Sequence, residues 1–334
     1  MVTPAENCIG QVGEAAGWAR SPICHKPNKE PKDFNLPGSK TKYSMTSMLD
    51  NILSTMMTTC GVANHPKRSK RIAGGHNTSP HQYPWTAVLI ISKNSRNYLR
   101  CGATILSKLW IVTSGRCVYE YVSENVKNLL SLQNLLMTYA ALVQITDLSV
   151  LVGEYDIRKY DGTELHRFFY SVQIHPNFNS NNAFTHDIAL LKVKKPLVFD
   201  QNISPVCLPP KSWHYDALIN VEGVATGWGS NSKGNGIEQQ VFMQVISNER
   251  CRVPYGSGLT SAYFCAGRIK GEDICNQDFG GQFSVTSKDG LYRLVGISAF
   301  NEKNNCGNGH PAGFTRITEY LKWIQQITRL AIDK

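Results

Sequence analysis

Cys275-Asn276-Gln277-Asp278-Phe279-Gly280-Gly281-Gln282-Phe283 is the stretch on which the reading of this chain turns. The residue between the acidic group and the glycine pair is Phe279. A benzyl side chain has no hydroxyl and cannot attack a carbonyl. Two other stretches bear on it. Leu109-Trp110-Ile111-Val112 is a short β-prone run that leads into Thr113-Ser114-Gly115-Arg116-Cys117. The side chain of Arg116 is a guanidinium cation, which takes no proton from a hydroxyl near neutrality. His186-Asp187-Ile188-Ala189-Leu190-Leu191 sets a carboxylate directly before an apolar run.

These stretches resemble the C-x-G-D-S-G-G-P nucleophile loop, the T-A-A-H-C histidine motif and the D-I-A-L-L aspartate motif of trypsin-like serine proteases. The likeness continues through Arg71-Ile72-Ala73-Gly74-Gly75, Tyr83-Pro84-Trp85, Cys101-Gly102-Ala103, Gly153-Glu154-Tyr155-Asp156, Pro205-Val206-Cys207-Leu208-Pro209 and Thr226-Gly227-Trp228-Gly229. It covers nearly everything after residue 71. The G-E-Y-D wording is similar to arthropod serine proteases and their catalytically inactive relatives, the serine protease homologues. The resemblance places Arg116, Asp187 and Phe279 at the positions of the family's histidine, aspartate and serine. The orienting carboxylate is kept, while the base and the nucleophile are replaced.

The resemblance implies an all-β fold of two antiparallel six-stranded barrels with a cleft between them and a C-terminal helix. The residues agree. β-rich runs at 85–92, 109–113, 149–152, 188–193, 221–227 and 293–299 are separated by turn residues, and 317–327 has apolar residues at helical spacing. Residues 1–71 read as a pro-segment and 72–334 as the protease-like domain. The pro-segment is loop-like to Lys42 and reads as a short helix from Tyr43 to Thr59. It holds Cys8, Cys24 and Cys60, too few for the six-cysteine clip domain of arthropod relatives. At about 119–147 the chain adds a segment where the family has a short loop. Val122, Val126, Leu129, Leu130, Leu136, Tyr139, Ala140 and Val143 recur there at helical spacing. A partner-binding surface helix, an inert elaboration and a retained intron are all open readings of it.

Site by site, the family likeness carries further expectations. Lys67-Arg68-Ser69-Lys70-Arg71 reads as a solvated linker or as a cleavage site, and Ile72 after it favours cleavage. Cutting after Arg71 would free the Ile72 amino group to pair with Asp278. A buried pair of this kind biases a two-state element by a few kcal/mol, the alternative being that Asp278 is a relic of the fold. Gln277 replaces the glycine of the oxyanion loop, where a side chain can forbid the needed conformation. Asp273 matches the aspartate that gives trypsin-like enzymes their Lys/Arg preference. Ala299, Phe300 and Asn301 replace a Ser-Trp-Gly wall and Ala312 replaces a wall glycine, so a partly filled, non-binding pocket is expected, the alternative being a retained arginine-binding pocket. Implied disulfides are Cys101–Cys117, Cys251–Cys265, Cys275–Cys306 and Cys60–Cys207, which leaves Cys8–Cys24. Glu154, Asp156, Asp161 and Glu164 match the spacing of a loop that binds calcium in some members; a solvated acidic loop is the other reading. No other cofactor is implied. Asn77 and Asn202 begin N-x-[ST] sequons.

Composition narrows the remaining classes. The chain of 334 residues suits one large domain plus a smaller segment. Ten cysteines without a C-x-x-C pair point to disulfides in an oxidising, extracellular setting rather than to zinc. The net charge of +10 is diffuse, and aromatic residues are not interleaved with the basic ones, so nucleic acid is not an expected partner. No apolar run nears the ~20 residues that span a bilayer. Met1-Val2-Thr3-Pro4-Ala5-Glu6 lacks a charged-then-apolar start, and for a secreted chain this implies an incomplete N-terminus. The expected function is that of a secreted, non-catalytic homologue. It would serve as cofactor, scaffold or decoy for a cascade protease or its substrate, as in arthropod immunity or melanisation. A working trypsin-like endopeptidase and a module that binds inhibitors or microbes are the alternatives.

Overall fold

The β-prone runs become strands, because β-branched and aromatic residues fit a pleated surface that is buried on one or both faces. The computed structural model describes residues 60–64, 75–94, 97–119, 148–180, 186–213, 215–229, 236–267, 274, 278–301 and 309–332. After a two-residue strand, β1 (His76–Asn77), come β2 (Thr86–Asn94), β3 (Asn97–Ile105), β4 (Trp110–Thr113), β5 (Leu148–Val152), β6 (Leu165–Ile174) and β7 (Ala189–Val193). They close a barrel in the order β2-β3-β4-β7-β6-β5, every neighbour antiparallel. In β4 the four residues Trp-Ile-Val-Thr are all buried. In β6 Phe169 is buried while His166, Phe168 and Tyr170 are exposed, the alternation that a pleat imposes.

The second barrel contains β8 (Glu222–Gly227), β9 (Gln239–Ile246), β10 (Tyr263–Ala266), β11 (Gln282–Thr286), β12 (Tyr292–Phe300) and β13 (Ala312–Arg316). The order is β9-β10-β13-β12-β11-β8, and β8 pairs back onto β9 to complete the ring. Phe264, Phe283 and Phe314 fill its core with ring centroids 4.7–5.5 Å apart. Each such side chain contributes about 1.5–3 kcal/mol by leaving water. β1 adds to β9 from outside, with His76 opposite Gln240 and Asn77 opposite Gln239.

Two of the helices among the described residues pack on this frame. α1 (Asn248–Tyr255) starts at Ser247, whose side chain accepts the N–H of Arg250. α2 (Ile317–Thr328) buries Ile317, Tyr320, Leu321, Ile324 and Thr328, one face of a 3.6-residue period. Its run ends at Arg329, left-handed at φ 63°, whose N–H donates to the Gln325 carbonyl. Among the described residues no helix is long and apolar enough to cross a membrane.

Three disulfides form within the described residues. Cys101–Cys117 ties β3 to the turn after β4, Cys251–Cys265 ties α1 to β10, and Cys60–Cys207 holds segment 60–64 on the domain. That segment is also bonded through Gly61, whose N–H donates to the Pro205 carbonyl and whose carbonyl accepts from Tyr292, both at 2.8 Å. Cys8–Cys24, Cys275–Cys306, Arg71, Ile72, Asp273, Gln277 and nearly all of the 119–147 insertion lie outside the described residues. Where the barrels meet, backbone touches backbone: a Cβ on Gly102 of β3 would stand 2.5 Å from the Cα of Gly281. That approach admits only glycine.

Candidate functional site

The close contact at Gly102 positions the loop around Phe279. The Phe279 carbonyl accepts the Gly102 N–H at 2.8 Å, and the Gly280 N–H donates to the Ser298 carbonyl on β12, also at 2.8 Å. Gly280 has φ +84°, a conformation that side-chain-bearing residues rarely adopt, and a Cβ there would strike Thr113 Oγ1 and the Gly102 carbonyl. The glycine pair therefore fixes a sharp turn clamped between β3 and β12, with Phe279 at its apex. The Phe279 ring is partly buried and packs against the first barrel's core.

Asp187 lies at the seam of the two barrels. Its N–H donates to the Tyr263 hydroxyl at 3.1 Å, and its carbonyl accepts the Thr315 hydroxyl at 2.9 Å. Its side chain is 1% exposed. Arg116, on the helical turn after β4, meets this carboxylate twice. The backbone N–H donates to Oδ1 at 2.8 Å and Nε donates to Oδ2 at 2.5 Å. The guanidinium carbon is 5.7 Å from the centre of the Phe279 ring, within cation–π range. Burial pushes the Asp187 carboxyl up; the Arg116 guanidinium and the N–H groups of Arg116 and Gly115 oppose that push. The result is an ion pair capped by an aromatic ring, with a guanidinium against Asp187 where a proton shuttle needs an imidazole.

His186, with φ 47°, does not serve in that role. Its ring stacks on His175 with centroids 4.7 Å apart, and its Nδ1 lies 3.2 Å from the Tyr320 hydroxyl of α2. His175 is held neutral, since burial pushes it down to about 4. Asp278, beside Phe279, accepts the Gly229 N–H at 2.8 Å. Its carboxylate fills the space that a Cβ on Gly227 or Gly229 would need.

The Trypsin family model matches residues 72–324. The chain belongs to the trypsin family. It is 28% identical to the proclotting enzyme of Tachypleus tridentatus over 276 residues, which are 80% of this chain and 68% of that protein. It is 30% identical to clotting factor C of Tachypleus tridentatus over 288 residues, 80% of this chain and 26% of that protein. To serine proteinase stubble of Drosophila melanogaster it is 26% identical over 295 residues, 83% of this chain and 33% of that protein. The chain thus spans only a minor part of two of these relatives.

In this trypsin-family domain the residues expected at the pocket wall are largely interior. Ala299 and Ala312 are buried, and Phe300, 6% exposed, packs among Tyr255, Tyr263 and Gly313. Asn301 donates from Nδ2 to the Ile274 carbonyl at 2.7 Å. Of the four acidic residues expected together, three are. Oxygens of Glu154, Asp161 and Glu164 lie within 4.8 Å of one another, beside an open cavity of about 460 Å³. Asp156 is not in the cluster; its carboxylate takes two bonds from Arg158, both 2.9 Å. Burial, then the Glu164 charge, pushes the Glu154 carboxyl up to about 7. Asn77 is exposed and Asn202 half-buried. Glu238, enclosed with Thr78, Thr86 and Thr226, escaped the sequence reading. The run Glu238-Gln239-Gln240 has the polarity of a solvated strand entry, and nothing in a single sequence marks its first residue as interior.

Proposed function

We propose that this chain is a secreted, non-catalytic trypsin-family protein that acts by engaging other proteins in an extracellular proteolytic cascade, as cofactor, scaffold or decoy. The observation that carries this is the Arg116–Asp187 ion pair under the Phe279 ring. A triad needs a hydroxyl and a base that exchanges a proton with it; a benzyl group and a guanidinium supply neither. Loss of triad members lowers turnover on the order of 10⁶-fold in related enzymes. The names of two relatives, a proclotting enzyme and a clotting factor, support a cascade setting. Immunity or melanisation is one such setting. Cleavage after Arg71 would act as a conformational switch through Ile72 and Asp278.

The test is direct. Full-length chain, cut after Arg71, is treated with a fluorophosphonate probe and a Lys/Arg chromogenic substrate. Neither covalent labelling nor turnover above buffer is expected. Labelling within the domain would instead establish the endopeptidase that family membership by itself suggests. Binding of inhibitors or microbial surfaces is the third reading, and no specific observation favours it.

Glu154, Asp161 and Glu164 would hold a hard divalent cation, calcium, as a structural ligand set. Glu154 is 6% exposed, and a carboxyl that burial raises to about 7 fits a place built for a cation. Since the ion must displace that proton, calcium affinity is expected to fall as pH drops below about 7, by up to tenfold per unit. Calorimetric titration at pH 8 and pH 6 measures this. Glu154→Gln should weaken binding and flatten the pH dependence. Equal heats with and without the cation at pH 8 would leave a solvated acidic loop. The exposed Asn77 is the proposed glycan acceptor, checked by the mass lost on deglycosylation.

A further inference from the structure

The barrels enclose a polar seam that the Arg116–Phe279 arrangement does not use. Glu238, just before β9, is 1% exposed. Its Oε2 accepts the Thr78 hydroxyl at 2.9 Å, its Oε1 has no partner at hydrogen-bond distance, and among the described residues it forms no ion pair. The groups acting on its carboxyl are hydroxyls, those of Thr78, Thr86 on β2 and Thr226 on β8. Tyr83 and Tyr155 feel its charge, and burial pushes both phenols up, so both stay neutral. Further out, the Tyr83 hydroxyl donates to Gln240 at 2.7 Å and Gln282 Nε2 donates to Thr226 at 3.1 Å. The cavity beside Thr86 and Thr226 is about 10 Å³, room for one water at most.

A carboxylate enclosed this way, with no cation, either takes a proton or reaches water. The cover over Glu238 is thin. β1 has two residues, and after it Thr78 donates its N–H to the Glu238 carbonyl at 2.9 Å while its own carbonyl accepts the Tyr155 hydroxyl, also at 2.9 Å. We propose that Glu238 is a proton-controlled latch on segment 75–78: the neutral acid holds the segment shut over the seam, and the carboxylate releases it to admit water. In chain order the segment follows the expected cut at Arg71, yet the latch needs neither cleavage nor loss of catalysis.

The direction follows from linkage. Burial raises the carboxyl to about 8 in the closed segment, against 4.5 when exposed. Closure is therefore fully favoured below pH ~4.5 and lost as pH rises to about 8. Across that window the opening equilibrium grows by up to about tenfold per pH unit, then levels off. His76, on the segment, and His81 are pushed down by burial, so their contribution has the opposite sign and opens toward acid.

Amide hydrogen exchange on the full chain, corrected for intrinsic rates, tests the latch between pH 5 and 8. Protection at 76–78 and 239–240 should fall steeply with pH in the wild type. Glu238→Gln should abolish that fall, leaving only the opposite histidine slope. Thr78→Val, which keeps the acid, should lower protection at every pH and retain the wild-type slope. Equal slopes in the wild type and Glu238→Gln, or a flat profile in both the wild type and Thr78→Val, would overturn the proposal.

Discussion

Replacing Arg116 with His and Phe279 with Ser in the same chain is expected to produce fluorophosphonate labelling where none is expected of the wild type. The scaffold for this is largely present. Asp187 already accepts two bonds from residue 116, one of them from a side-chain nitrogen, and an imidazole there would inherit that donor position. The turn at Gly280 is set by contacts that do not involve the Phe279 ring, namely the bonds to Gly102 and Ser298. A serine at its apex would be aimed by the same backbone. Hydrolysis should rise at least about 10²-fold over the wild type, as expected when a general base returns. It should still stop some 10²–10³-fold short of a working enzyme, the worth of one oxyanion donor, because Gln277 remains in that loop. Adding Gln277→Gly should recover part of the deficit. The measurements are probe labelling and chromogenic turnover after cleavage at Arg71. A double variant no more reactive than the wild type would mean that the site is blocked by more than its two replaced side chains.

The second large effect concerns stability. Arg116→Met should destabilise the domain by about 3 kcal/mol, the low end of what breaking a buried pair costs. The low end applies because the Arg116 side chain is 32% exposed and water shares its charge, whereas the Asp187 side chain is 1% exposed and keeps only backbone donors. For a domain of this size the melting temperature should fall by about 6–12 °C. Asp187→Asn in the same chain should return part of the loss, since the amide oxygen still accepts a backbone N–H and no charge is stranded. The pH dependence has a definite sign. Without Arg116, the folded-state carboxyl of Asp187 rises further above its unfolded value. The stability it then contributes is present below the unfolded value and lost as pH climbs through the folded one. The deficit of Arg116→Met should accordingly shrink on acidification. Additive losses in the two single variants and the double variant would show that the pair is not coupled.

Much of the fold was legible from residue order. β-branched and aromatic runs such as 109–113 and 188–193 can bury their faces only as strands, and the apolar spacing of 317–327 can be buried only as a helix. The family resemblance implied Cys60–Cys207, Cys101–Cys117 and Cys251–Cys265, and all three form. Glu154, Asp161 and Glu164 come together because one loop carries them, a local constraint. Asp156 shares the loop and the spacing, but Arg158, two residues on, takes its carboxylate. Spacing cannot rank two partners that are both within reach.

Chemical identity belongs to the sequence alone: that residue 279 has no hydroxyl and residue 116 no imidazole is a property of the side chains in any fold. Proximity belongs to the tertiary structure. It brings Arg116 onto a carboxylate 71 positions away, seats Phe300 in a core, and closes Thr78 over Glu238 from 160 positions away. The reason is physical. A side chain's reactivity is covalent and local, whereas its charge state and partners depend on desolvation and on neighbours that only barrel closure supplies.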